Sequence, residues 1–102
     1  MNKRDICTRA ADLVGNDRAE VYGDNLEMHG RIAKLWSAYL GFDISALDAA
    51  HMMILFKLAR AAANPAHVDS YIDIAGYAAC AGEIGSVLAP TVQEIQSVTG
   101  RR

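Results

Sequence analysis

The sequence predicts an all-α fold: a compact antiparallel helical bundle of about four main helices plus a short C-terminal helix. Three observations predict it. Apolar residues recur at spacings of three and four, the alternation expected of strands is nearly absent, and the apolar runs are separated by glycine, proline and capping residues.

Ile6, Ala10, Leu13 and Val14 mark a short first helix, which Gly15 is expected to stop. The polar stretch "GNDRAEVYGD" reads as a loop. Asp24 then looks like the N-cap of a second helix, with Glu27 as its capping-box partner three residues on. Met28, Ile32, Leu35, Trp36, Tyr39 and Leu40 form its apolar stripe, and Gly41 ends it. Ser45 is expected to open the third helix with Asp48 at the capping-box position. Its core stripe is read as Met52, Leu55, Leu58, Ala59 and Ala62, and it runs out at Asn64-Pro65, where the residue before proline resists the helical region. The fourth helix starts near His67 or Val68 and runs to about Ile84. After Pro90, Val92, Ile95 and Val98 suggest a tail helix.

A chain of 102 residues is read as one helical domain, 1–102, with its core over about 5–84 and the tail over 85–102. About a third of the unfolded surface stays exposed at this size, so a homodimer or higher homo-oligomer is expected. The net charge of −2 argues against a nucleic-acid polymer as partner, since such binders need a basic face. No run of about 18 apolar residues offers a membrane span, and the N-terminus lacks the apolar core of a signal peptide. The two cysteines, Cys7 and Cys80, are too few for a disulfide framework, which points to the cytoplasm. Neither CxxC, HExxH nor a phosphate-binding glycine loop occurs.

The stretch "HVDSYIDIAGYAA" carries Asp69 and Asp73 one helical turn apart, beside Gly76, Tyr77 and Cys80. Asp48 shares the stripe assigned to the third helix. Two readings stand side by side. In one, Asp48 caps its helix, Asp69 answers the helix dipole, and Asp73 pairs with Lys57, Arg60 or Arg31. In the other, Asp48, Asp69 and Asp73 converge between helices. Three carboxylates there would repel one another unless a divalent cation, Mg2+ or Mn2+, joined them. His51, three residues after Asp48, is a candidate ligand or proton carrier. Arg18, Arg31 and Lys34 could meet phosphate oxygens, and Tyr22 or Trp36 could stack on a base; a binding site without a metal would use Arg18, Tyr22, Arg31, Trp36 and Tyr77. Trp36 and Met52-Met53 read as core.

Four stretches carry a family resemblance over about residues 5–84: "DRAEVYG", "GDNLEMHGRIAKLWSAYLG", "LDAAHMMILFKLAR" and "NPAHVDSYIDIAGYAA". The pattern resembles a family of small phage and prophage proteins of unassigned function, which would place the chain in the host cytoplasm. More distantly it resembles the all-α nucleoside triphosphate pyrophosphohydrolases of the MazG and dimeric dUTPase type. In those enzymes an ExxE pair and an ExxD pair hold magnesium. The likeness implies Asp48, Asp69 and Asp73 as metal ligands, with Glu27 as a fourth. Asp73 fits the aspartate of the second pair, while Asp69 lies one residue upstream of that pattern. Asp48 and His51 form DxxH where ExxE is expected, and histidine is the poorer magnesium ligand. The expectation is a phage-type nucleotide-binding protein resembling a Mg-dependent pyrophosphohydrolase. The alternative is sequestration, without turnover, of a nucleotide immune messenger, an anti-defence role. The blandest reading is a structural interaction module.

Overall fold

A computed structural model describes residues 1–17 and 25–88. Within them the chain forms four α-helices and no strand: α1 (Lys3–Asp12), α2 (Asn25–Leu40), α3 (Ala46–Ala63) and α4 (Val68–Leu88). The bundle is all-α, as the spacing predicts. Asp24, Arg18, Tyr22 and the tail after Leu88 lie outside the described residues.

Local chemistry sets most of the boundaries. A capping box opens α1: the Asn2 side chain accepts from the Asp5 amide (2.9 Å) and Asp5 accepts from the Asn2 amide (3.0 Å). Gly15 does not stop the chain's first helical segment. Leu13–Asp17 continues it as a wider π-helical turn, because a glycine inside a helix costs only about 1 kcal/mol against alanine. Gly41 ends α2 with φ of 82°, a left-handed conformation that glycine adopts without strain. The Ser37 hydroxyl then accepts from the Ile44 amide (2.9 Å), closing the turn into α3. Ser45 and Asp48 form the expected capping box. Asn64-Pro65 ends α3, and the Tyr71 hydroxyl donates to the Pro65 carbonyl (3.0 Å), tying α4 to that turn.

The packing has a clear hierarchy. α3 and α4 make the main seam, α2 lies against α3, and α1 lies against α4, while α2 and α4 meet only sparingly. The short connection makes α3 and α4 antiparallel neighbours. Ala50, near the start of α3, accordingly clusters with Ala81 and Ile84, near the end of α4, with Leu47 and Ile54 packed around them. Among the described residues the buried apolar set is six alanines and two isoleucines: Ala10, Ala33, Ala49, Ala50, Ala61, Ala81, Ile72 and Ile84.

The stripe assigned to α3 from spacing is therefore the wrong face. Met52, Leu55 and Leu58 are 37%, 62% and 52% exposed, and Ala59 and Ala62 are exposed with them. In α2, Leu35, Tyr39 and Leu40 are likewise exposed, whereas Ile32 and Trp36 are half-buried. The physical reason is shape. Both helices are apolar over much of their circumference, so hydrophobicity alone does not choose the inward face. Small side chains let two backbones approach, and that close approach decides which face packs.

Candidate ligand-binding site

Where α1 and its π-helical turn meet α2 and α4, the helices enclose a cavity of about 70 Å³ with mostly apolar walls. Leu13 and Val14 form one wall, Met28 and Ile72 others. Gly76 allows the close approach: a Cβ there would sit 3.2 Å from Val14 Cγ1.

The polar groups of this cavity are Asn25, His29, Asp73 and Tyr77, with Cys80 at its edge. Asn25 starts α2, and its side-chain Nδ2 donates to the Cys80 carbonyl (2.7 Å) and to Glu83 Oε1 (3.2 Å), which fastens α2 to α4. Those two acceptors fix the amide orientation and leave Asn25 Oδ1 as an acceptor, buried and without a partner among the described residues. His29 is one turn further along and only 3% exposed. Its Nδ1 lies 3.1 Å from the Asn25 carbonyl. A carbonyl only accepts, so Nδ1 carries a proton, and with one proton on the ring Nε2 presents a lone pair. Nε2 is buried and has no partner among the described residues either. The His29 ring meets Tyr77 edge to face, with centroids 6.1 Å apart and planes at 86°.

Two buried acceptors without a partner among the described residues, on two residues that line one cavity, are costly. Each unsatisfied group costs about 1–3 kcal/mol, and native interiors rarely tolerate them without a bound partner.

Of the residues singled out from sequence, the fold brings Asp73 and Tyr77 to the cavity. Asp73 is engaged in a half-buried ion pair with Lys57 (2.8 Å), one of the partners weighed from sequence. Asp48 is in its capping box. The Ser45 amide, then its side chain, hold the Asp48 carboxyl below its ordinary value of 3.8, with His51 adding a smaller pull in the same direction. Asp69 is exposed in the first turn of α4. No three acids, histidines or cysteines gather in metal-binding geometry among the described residues, so Asp48, Asp69 and Asp73 do not form one carboxylate cluster. Glu27, Arg31 and His51 are exposed and do not line the cavity. Lys34 lines a separate open groove between the end of α2 and the start of α3, together with Ser37 and Asp43.

Sequence reasoning singled out neither His29 nor Asn25. The signal was present: His29 lies three, four and seven residues before Ile32, Ala33 and Trp36, a spacing that places it on the inward stripe of α2. A histidine on a buried stripe, one turn after an asparagine, marks polar atoms that must be answered inside the fold.

The family described as "Domain of unknown function (DUF6378)" matches residues 5–85. The chain belongs to that family. It is 49% identical to the Gene 55 protein of Mycobacterium phage L5 over 74 residues, which cover 72% of this chain and 47% of the relative. It is 42% identical to the Gene 55 protein of Mycobacterium phage D29 over 79 residues, covering 78% of this chain and 52% of the relative. The chain thus spans about half the length of the curated relatives it matches. The matched segment contains α2, α3 and most of α4, and with them every polar residue of the cavity. The resemblance to phage proteins holds, and neither relative's name states an activity. No solved structure matches the chain. No helix among the described residues is long and apolar enough to cross a membrane.

Proposed function

We propose that this chain is a phage-type binding protein that holds part of a small nucleotide in the cavity between α1, α2 and α4, and that it sequesters the ligand without turning it over. The observation that carries the reading is the pair of buried acceptors without a partner among the described residues, Asn25 Oδ1 and His29 Nε2, on two residues that line a cavity with apolar walls and an aromatic ring, Tyr77. Ligand sites are concave and mostly apolar, with a few placed polar groups. The choice of a nucleotide rests on the sequence resemblance, and the anti-defence role on the phage origin of the relatives.

Sequestration is favoured over Mg-dependent pyrophosphate release because two of the three acids assigned to the metal have other partners. Asp48 bonds to Ser45, and Asp73 to Lys57. A second part of the reading concerns assembly. The core is thin and the large apolar side chains of α2 and α3 are exposed. We infer that two copies associate through these helices, gaining the apolar burial that a short chain lacks.

Calorimetric titration of the EDTA-treated chain with nucleoside triphosphates, monophosphates and cyclic nucleotides tests the reading, with and without Mg2+ or Mn2+ and with product analysis. Binding without metal and recovery of intact ligand is the expected result. Metal-dependent release of pyrophosphate would return the hydrolase, and absence of heat from every nucleotide would leave an interaction module. Sedimentation across a hundredfold concentration range tests association, and a single-chain mass throughout overturns it.

A further inference from the structure

Resting on the binding reading above, we propose that the cavity selects a planar ligand edge bearing two adjacent N–H donors, which among the nucleobases is the Watson–Crick edge of guanine.

The argument is one of complementarity. The amide of Asn25 is held by its two acceptors, Cys80 O and Glu83 Oε1, so it cannot flip to offer a donor to the cavity. His29 is held by its Nδ1 contact to the Asn25 carbonyl, so its free nitrogen is an acceptor too. The third group on the wall, Asp73, is a carboxylate and adds only acceptor capacity. A ligand that turned acceptors toward Asn25 Oδ1 and His29 Nε2 would set lone pairs against lone pairs, whereas the Tyr77 hydroxyl can donate and so can meet an acceptor such as the guanine O6. Guanine presents the N1 hydrogen and the exocyclic 2-amino group side by side. Adenine and cytosine each present one amino donor beside a ring-nitrogen acceptor, and uracil presents one ring N–H between two carbonyls. Guanine is therefore the base whose pairing edge answers two acceptors at once.

Size limits how the ligand enters. A cavity of about 150 Å³ accommodates benzene, and this one is about 70 Å³. The donor edge of the ring is inserted between the apolar walls, and the sugar and phosphate stay at the mouth. The edge-on packing of Tyr77 against His29 holds the imidazole in place for this contact. Asn25 and His29 are one turn apart on α2, so one helix carries both acceptors.

The test uses the full chain and the 5′-monophosphates of guanosine, inosine and adenosine. Inosine keeps the N1 hydrogen and lacks the 2-amino group. Guanosine monophosphate is expected to bind about tenfold or more tightly than either of the others, as loss of one buried hydrogen bond implies. His29→Phe is expected to narrow that preference. Because this variant can fail to fold, a measurement on the unaltered protein stands beside it. With 15N-labelled histidine, His29 Nε2 should report an unprotonated nitrogen in the free protein and shift on adding the guanine nucleotide.

Equal affinity for the three nucleotides, or preference for adenosine, overturns the inference and leaves the binding reading intact. A protonated Nε2 with an unprotonated Nδ1 in the free neutral ring also overturns it. If no nucleotide binds but methylguanidinium, a planar cation with adjacent N–H donors, shifts the Nε2 resonance, the nucleotide reading fails and the donor-edge selectivity stands. If neither has any effect, both fail.

Discussion

The two sides of α3 are both apolar, yet only one of them is used. Its inner side offers Leu47, Ala50 and Ile54 to Ala81 and Ile84 of α4. Its outer side carries Leu55, Phe56 and Leu58, each more than half exposed. Two leucines and a phenylalanine are left out, while alanine holds the centre of the seam. Helix packing in this chain is decided by how near the backbones can come, and alanine at 50 and 81 allows an approach that leucine would prevent. The inner side is a seam specified by fit. The outer side is apolar surface with no such constraint within one copy of the chain.

Substitutions on the two sides should therefore differ in size, and the largest effect belongs to the seam. Ile84 is 1% exposed, and Ile84→Ala removes three buried carbons where the neighbours are small and cannot collapse far. A loss of about 2–5 kcal/mol is expected, read as a fall in the urea midpoint at constant slope. Ala50→Leu comes next. Ala50 has no exposed surface, and forcing three more carbons into the seam is expected to cost about 1–3 kcal/mol. If Ala50→Leu is tolerated without loss, the seam is not the closely fitted side and the comparison breaks.

A third prediction concerns the start of α3, where the two sides share one cap. Ser45→Ala should cost about 1 kcal/mol. It should also change the acid limb of the stability curve. The Asp48 carboxyl is held below its ordinary 3.8 in the folded chain, chiefly by the Ser45 amide. Its contribution is therefore fully present above about that ordinary value and is lost as pH falls through the lower folded value. Asp48→Asn should flatten this limb, and urea midpoints between neutral pH and pH 2 would show it. An unchanged limb would mean that the cap does not persist in solution.

What could be read from sequence divides along the same line. Caps and stops are local, so Ser45–Asp48, Gly41 and Asn64-Pro65 were legible as the ends of α2 and α3. The inward face of α3 was not, because a stripe count weighs hydrophobicity and the seam is chosen by size. Gly15 misled for a related reason: its neighbour Val14 packs on Gly76 of α4, and this tertiary contact accompanies a helical segment that local propensity would end. At the site, the spacing of Asp69 and Asp73 drew attention to the right stretch of α4, of which Asp73, Gly76 and Tyr77 reach the cavity. The acids in that stretch had an equally local alternative, and Asp48 and Asp73 are found in it, one in a capping box and one in an ion pair. His29 and Asn25 matter through what they lack among the described residues, a partner for one buried atom each. A missing partner is a property of the folded interior that spacing along one helix only hints at.

The smallest expected effect is on the outer side, and it sharpens the comparison most. Leu55 is 62% exposed. In a single copy of the chain, Leu55→Ser removes little buried surface and should change stability by no more than about 0.5 kcal/mol. If two copies associate through α2 and α3, the same substitution acts on the dimer, and its effect depends on concentration because association stabilises the folded chain by mass action. The paired measurement is therefore the unfolding midpoint of Leu55→Ser and of the parent at two concentrations a hundredfold apart. The parent should gain stability at the higher concentration and the variant should gain less. If both midpoints are independent of concentration, the outer side has no second copy on it, and its apolar residues are exposed in the free protein. A single copy would then rest on its own buried apolar set, six alanines and two isoleucines among the described residues, with the seam at its centre. In that case Ile84→Ala should leave almost no folded population, so the largest and smallest effects constrain each other.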